Sequence, residues 1–255
     1  KNVEPLSREE SGEVWRKTKA LVLHKVGDVA RLQTDSLIIS SFIAVAMSGI
    51  VDNYNLVINA VTNFVNIIFN SVISSFGNLI ATETKERQYE LFQVYRFFAS
   101  WVYGFAVTGF FVLLTPLVRI WLGDAWVLPA SAVALILIDL YFKGDRIVLS
   151  NYKTAAGVFE QDKYLALIQG GVNLVLSIWL VQKIGLAGIY VGTVISGLIA
   201  NLTKPVIIYR VCFGRSSRSY FAESLRYAGT VAVLAAGLKL VGNRVMAQPA
   251  IGSFL

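Results

Sequence analysis

The chain has 255 residues, of which 55% are hydrophobic and only 15% are charged, and its mean hydropathy is +0.61. Soluble domains usually carry about 25% charged residues, so this composition indicates that lipid covers much of the surface. The net charge of +7 does not indicate nucleic-acid binding, because the basic residues lie between apolar runs. The single cysteine, Cys212, and the single histidine, His24, exclude an internal disulfide and a histidine-rich metal site.

Seven apolar runs approach or reach the roughly 20 residues that a membrane-spanning helix needs. The first, residues 36–51, is long enough only if the helix begins earlier, near residue 27. Two further runs, each interrupted by one charged residue, are 125–142 and 227–242. The four runs without charge are 53–82, 97–118, 164–182 and 184–203. The sequence therefore predicts an all-α polytopic membrane protein with six to seven transmembrane helices.

The basic residues predict the orientation of these spans. Nineteen of the 23 Lys and Arg residues fall on one side, in the N-terminal segment through Arg31 and in the loops 83–96, 143–163 and 204–226. The other side holds Arg119, Lys183, Lys239 and Arg244. Because cytoplasmic loops are enriched in basic residues, we expect a cytoplasmic N-terminal end. The second span, residues 53–82, then runs from outside to inside.

The second span carries five asparagines in helical register, which we call the asparagine row: Asn55, Asn59, Asn63, Asn66 and Asn70. At about 100° per residue they cover an arc of roughly 80° on an otherwise apolar helix. Two interpretations stay open. The row forms the wall of a cavity that hydrogen-bonds a polar, hydroxyl-rich substrate, or it bonds to neighbouring helices. Five carboxamides on one narrow arc favour the cavity.

Charged residues in or near the spans are further candidates. Arg31 and Asp35 are four residues apart, so they share one helix face. Arg31 either meets an anionic head group such as a phosphate or forms an interfacial ion pair that reaches water, and both interpretations stay open. Asp139 is followed closely by Lys143, which favours a place at the membrane interface over a role as a proton relay.

Small residues recur at every fourth position in Gly188, Gly192, Ser196 and Ala200, and this ridge predicts close helix packing. The sequence contains no nucleotide-binding glycine loop. One histidine and one cysteine also do not supply a convincing Ser–His–Asp or Cys–His set. These features favour a transporter over an enzyme, with no cofactor and no metal.

Five short segments stand in a fixed order relative to the predicted spans. They are HKVGDVARLQTDSLIIS (24–40), VDNYNLV (51–57), RIWLG (119–123), GVFEQDKY (157–164) and GLAGIYVGTVIS (185–196). Together they resemble the bacterial polysaccharide flippases of the Wzx/RfbX type, in the multidrug/oligosaccharidyl-lipid/polysaccharide exporter superfamily. The resemblance covers about residues 10–225.

The resemblance implies a fold of two six-helix lobes around a central cavity, and the chain is similar to the second lobe. It implies a cytoplasmic linker with an approach helix in residues 1–26 and a six-helix lobe in residues 27–210. A cytoplasmic loop and a further transmembrane helix, expected to be truncated, would follow in residues 211–255. It also implies that Arg31, Asp35 and the asparagine row line the cavity and bind the substrate.

By the same resemblance, the expected function is translocation of undecaprenyl-diphosphate-linked oligosaccharide repeat units across the bacterial cytoplasmic membrane. The product would be capsule, O-antigen or exopolysaccharide. The expected partners are the lipid-linked oligosaccharide, membrane lipids, the N-terminal lobe, and the polysaccharide polymerase and glycosyltransferases of the pathway. Two alternatives stay open: a cation-coupled multidrug exporter of the same superfamily, with an apolar and acidic chamber, and a non-transporting membrane scaffold for glycosyltransferases.

Overall fold

A computed structural model describes residues 34–246 and, before them, residues 11, 12, 14, 15, 18, 19 and 22. Throughout this described part the chain forms helices and turns and no β-strand, which confirms the all-α prediction. The helices are α1 (34–42), α2 (Val45–Ser71), α3 (Ile73–Thr82), α4 (Lys85–Leu122), α5 (Ala130–Asp145), α6 (Ile147–Ala156), α7 (Leu165–Ile184), α8 (Leu186–Ile208) and α9 (Arg218–Met246).

Five helical segments are long and apolar enough to cross a membrane. They are Val45–Thr82, Lys85–Leu122, Leu165–Ile184, Leu186–Phe213 and Arg218–Gly242. The first joins α2 to α3, and the fourth extends α8 through a π-helical turn, Tyr209–Phe213. This indicates a multi-pass membrane protein and corrects the number of spans, within the described residues, from six or seven to five.

The predicted span at residues 36–51 is wrong, because the chain leaves the helix inside that run. Ala44 is extended, with φ −171° and ψ 150°, and α2 begins at the next residue, Val45. The N–H groups of Ile43 and Ala44 both donate to the Ile39 carbonyl, at 3.0 and 3.1 Å. This turn contains neither glycine nor proline. No residue typical of a turn therefore marks it in the sequence, and the apolar run appears continuous.

The predicted span at residues 125–142 has the wrong bounds. Asp124–Trp126 form a 3₁₀ turn, and Pro129 directly precedes the first residue of α5. Proline has a fixed φ and no N–H group, so it suits the start of a helix and not its interior. α5 is therefore only 16 residues long, which is fewer than a bilayer requires.

α7 and α8 form a tightly packed hairpin. A Cβ added to Gly188 would stand 2.4 Å from the Leu180 carbonyl oxygen, and one added to Gly192 would stand 2.4 Å from the Ser177 hydroxyl oxygen. The Ser177 hydroxyl also donates to the Ile189 carbonyl at 3.1 Å. These contacts confirm that the small-residue ridge serves helix packing, because any side chain at either glycine would separate the two backbones.

α4 packs against α2, α5 and α9, and near its N-terminal end it carries Arg96, which is 1% exposed. The guanidinium bonds to three groups of α9: the Glu223 carboxylate at 2.5 Å, the Ser224 hydroxyl at 2.7 Å and the Tyr220 carbonyl at 2.8 Å. The Asp145 carboxylate, at the end of α5, lies 3.8 Å away. One buried cation thus joins three helices.

α6 and the loop that follows it are held by two further contacts. The Tyr152 hydroxyl donates to Gln88 Oε1 at 2.6 Å. Burial, with a smaller contribution from Cys212, raises the pKa of Tyr152 above its ordinary value, so the donor proton is retained. Lys153 and Asp162 form a buried ion pair, with side chains 7% and 2% exposed and 2.5 Å between Nζ and Oδ2.

Candidate functional site

α2 presents three different faces along its length. One face is buried in the bundle and includes Tyr54, Ile58 and Val65. The asparagine row lies beside it, displaced by about 100° around the helix. The remaining surface exposes large apolar side chains, among them Phe64 at 67% and Ile67 at 69%. The row therefore follows the boundary between the packed side and the open side of α2.

A cavity of about 420 Å³ lies beside this boundary. It is far larger than the roughly 10–15 Å³ that a single water molecule requires. α2 contributes four members of the row to its wall: Asn55, Asn59, Asn63 and Asn66. The other polar or charged residues in the wall are Asp35, Ser36, Thr62, Tyr103, Asp139, Lys143, Tyr190 and Thr193.

Asn66 is held by a residue from α4. The Tyr103 hydroxyl donates to Asn66 Oδ1 at 2.6 Å, although the two residues are 37 positions apart in the chain. Tyr103 is buried, and its ring lies directly on Gly144 of α5, where an added Cβ would stand 2.2 Å from the ring Cγ. Glycine at position 144 is therefore what allows the ring to reach the row.

A second polar group lies where α1 meets α8. Asp35 Oδ2 accepts a hydrogen bond from the Thr193 hydroxyl at 2.9 Å. Thr193 Oγ1 in turn accepts from Asn173 Nδ2 at 3.0 Å, and Asn173 on α7 is completely buried. The rigid α7–α8 hairpin thus holds the Asp35 carboxylate at the cavity wall.

The third polar group is an ion pair within α5. Lys143 Nζ lies 2.6 Å from Asp139 Oδ2, one helical turn away, and both residues line the cavity. The Asp139 side chain is 8% exposed, whereas that of Lys143 is 44% exposed. Sequence reasoning assigned Asp139 to the membrane interface, but in the fold it forms part of the cavity wall. Its pairing with Lys143 offsets the cost of burying the carboxylate.

The predicted site residues are only partly brought together. Asp35 and four of the five asparagines line the cavity, but Asn70 is exposed, one turn beyond Asn66, and is not among the lining residues. Arg31 lies outside the described residues. Sequence reasoning missed Tyr103, Thr62, Tyr190 and Thr193 as wall residues. The spacing of Asp139 and Lys143 was a visible signal, because residues four apart share a helix face.

This arrangement suits reversible binding of a polar molecule. Carboxamides donate and accept hydrogen bonds without fixed charge. The charged residues in the wall are two carboxylates and one ammonium group, each held by a neighbour on its own or an adjacent helix. Among the described residues there is no group of three or more His, Cys, Asp or Glu that could hold a metal ion.

Comparison with known proteins leaves the chain without an assigned family. No family model, no curated protein and no solved structure matches it. The resemblance to polysaccharide flippases therefore stays a hypothesis that rests on the short segments named above, and the functional argument depends on the geometry of the cavity.

Proposed function

We propose that the chain is one lobe of a membrane flippase for undecaprenyl-diphosphate-linked oligosaccharides. The glycan head group would cross the bacterial cytoplasmic membrane beside the asparagine row, while the polyprenyl tail stays in lipid. The second lobe would close the cavity on its open side. Rocking of the two lobes would then expose the cavity alternately to each side of the membrane.

The observation that carries this proposal is the shared cavity of four asparagines. A glycan presents many hydroxyl groups, each able to donate and to accept, and carboxamides match that pattern. Several weak hydrogen bonds permit release after transfer, whereas one tight site would retain the substrate. The exposed apolar side chains on the outer face of α2, such as Phe64 and Ile67, are compatible with contact to lipid or to another hydrophobic helix.

The proposed orientation follows the basic residues. Segments 83–96, 143–163 and 204–226 hold twelve of the 23 Lys and Arg residues. The bonds from Arg96 to Glu223 and from Tyr152 to Gln88 bring these segments to one end of the bundle, and this end would face the cytoplasm. The α1–α2 turn would lie toward the opposite end. This assignment predicts that a membrane-impermeant thiol reagent, added outside the cell, reaches a cysteine introduced at the α1–α2 turn. It does not reach one introduced at the α3–α4 connection.

The proposal is tested by replacing Asn59, Asn63 and Asn66 together with leucine, in bacteria whose surface polysaccharide depends on this protein. We expect lipid-linked repeat units to accumulate in the inner leaflet and surface polymer to fall at least tenfold. The matched control replaces Asn70 and Asn78 with leucine, because neither residue lines the cavity. Normal surface polymer in the triple variant, at equal protein level, would contradict the proposal.

A second candidate function is cation-coupled drug export, and one observation favours it. Asp35 and Asp139 both line the same cavity, and carboxylates in a transport chamber can bind a proton or a cationic drug. Efflux of a fluorescent cationic dye distinguishes the two functions. Drug export predicts dye efflux that is lost in Asp35→Asn and Asp139→Asn, whereas the flippase predicts no dye efflux in the unmodified chain.

A further inference from the structure

We propose that Tyr103 is a positioning residue, which orients the Asn66 amide so that its NH₂ group donates to an acceptor oxygen of the transported molecule. The inference rests on the proposed function, since it names the chemistry that one end of the cavity recognises. It assigns Tyr103 no contact with the substrate. The tyrosine acts only through Asn66.

The geometry for this role is specific. Tyr103 lies on α4, is 3% exposed, and reaches the row through one hydrogen bond, 2.6 Å long, to Asn66 Oδ1. Its ring has a fixed place because it packs on Gly144, where no Cβ would fit, and stands 6.1 Å from the Phe69 ring. A ring held by two helices cannot follow Asn66 if the amide rotates. The amide must therefore adapt to the hydroxyl.

The direction of this bond decides what Asn66 offers to the cavity. A carboxamide carries its oxygen acceptor and its NH₂ donor on the same carbon, pointing in different directions within one plane. Because the bond from Tyr103 occupies one lone pair of the oxygen and fixes the direction of the amide, the NH₂ group is the part that has no partner within the described chain and that a bound molecule can meet as a donor. Asn55, Asn59 and Asn63 have no such partner among the hydrogen bonds of the described residues, so their amides can turn to present either group.

The neighbouring wall extends this donor character. Lys143 precedes Gly144, lines the same cavity, and carries an ammonium group. Carbonyl, hydroxyl and phosphate oxygens are the acceptors that an amide NH₂ and an ammonium group both bind. Near Asp35, by contrast, the wall presents a carboxylate, which is an acceptor when ionised. Asn66 and Lys143 thus offer donors to the cavity, beside the Asp139 carboxylate that pairs with Lys143, whereas Asp35 offers an acceptor.

The first experiment needs no substrate. The full chain is labelled with ¹⁵N in the asparagine side chains and placed in lipid nanodiscs, and the Asn66 amide signal is identified by its loss in Asn66→Asp. We expect Tyr103→Phe, which retains the ring, to move the Asn66 signal and to leave the Asn70 signal in place. An unmoved Asn66 signal would overturn the inference.

The second experiment measures binding of undecaprenyl-diphosphate-linked N-acetylglucosamine to the same nanodiscs. We expect Tyr103→Phe and Asn66→Leu each to weaken binding by about three- to tenfold, the effect of one lost hydrogen bond. The double variant should bind no more weakly than Asn66→Leu alone, because Tyr103 acts through Asn66. Losses that multiply would show an independent role for Tyr103 and overturn the inference.

The two experiments separate this inference from the proposed function. If the unmodified chain does not bind the lipid-linked sugar, the proposed function fails and the assigned ligand fails with it, whereas the amide signal still decides whether Tyr103 positions Asn66. If the chain binds the sugar and the losses multiply, the proposed function stands and the positioning role is wrong. Asn70→Leu is the binding control and should leave affinity unchanged.

Discussion

Arg96 on α4 and Glu223 on α9 form an ion pair across 127 positions of the chain, with 2.5 Å between Nη1 and Oε2. The Arg96 side chain is 2% exposed, and Asp145 of α5 lies 3.8 Å from the same guanidinium. α9 exposes much of its apolar surface, including Leu225 at 75% and Val233 at 74%. Its polar attachment to the bundle therefore depends on this contact and on the bonds from Tyr220 and Ser224 to Asp145.

Replacing Arg96 with methionine should therefore destabilise the protein by about 3–5 kcal/mol, because two carboxylates lose their shared buried cation. The measurement is the unfolding midpoint in detergent, followed by protease sensitivity of α9. The matched control is Arg87→Met on the same helix, whose pair with Glu90 is exposed; that change should cost no more than about 0.5 kcal/mol. Equal effects of the two substitutions would contradict the prediction.

The buried pair of Lys153 and Asp162 gives a second prediction. A variant that lacks both charges should be more stable than one that lacks only the Lys153 ammonium group. Lys153→Met leaves Asp162 charged and buried, and should cost about 3–5 kcal/mol. Lys153→Met combined with Asp162→Leu removes both charges and should recover most of that loss. Unfolding midpoints of the three proteins check this. A double variant no more stable than Lys153→Met alone would show that packing, and not the unpaired charge, sets the cost.

Gly192 is a point of close approach between α8 and α7, and it gives a third prediction. Gly192→Ala places a Cβ 2.4 Å from the Ser177 hydroxyl and 2.9 Å from the Ser177 amide nitrogen. We expect a loss of about 1–3 kcal/mol from overpacking. Ser177→Ala in the same chain should recover only part of it, because the backbone contact remains. Gly171→Ala, on α7 with no atom within 4 Å, is the control and should be neutral.

Gly144 gives a fourth prediction, which tests the link between packing and the cavity. Gly144→Ala would force the Tyr103 ring away from α5, since the added Cβ meets three of its side-chain atoms within 2.6 Å. We expect a loss of about 1–3 kcal/mol and a shift of the Asn66 amide signal in the direction that Tyr103→Phe produces. Gly109→Ala on α4, where nothing lies within 4 Å, should change neither.

The periodic features of the fold were predictable from the sequence. The asparagine row and the small-residue ridge repeat at helical spacing within single helices, so their faces follow from the 3.6-residue period. That period does not determine where a face ends. Asn70 belongs to the same arc as Asn66, yet it lies beyond the cavity, because the wall that faces α2 is built from other helices whose positions the row does not encode.

The partners that complete the site were not predictable, because each comes from a distant part of the chain. Tyr103 meets Asn66 from 37 positions away, and Thr193 meets Asp35 from 158 positions away. No local pattern records such pairs. The turn at Ala44 was missed for a different reason: a bifurcated bond to one carbonyl closes it, within a run of uniform hydropathy.

The length of α4 has a consequence for how bilayer thickness acts on the protein. Its 38 residues extend about 57 Å at 1.5 Å per residue, whereas the hydrocarbon core is about 30 Å thick. The charge-free section 97–118 matches that core, which leaves Arg96 at its edge. A thicker or thinner bilayer would change the tilt of the apolar section. The attachment of α9 at Arg96 would change little, because it lies at the edge of the hydrocarbon.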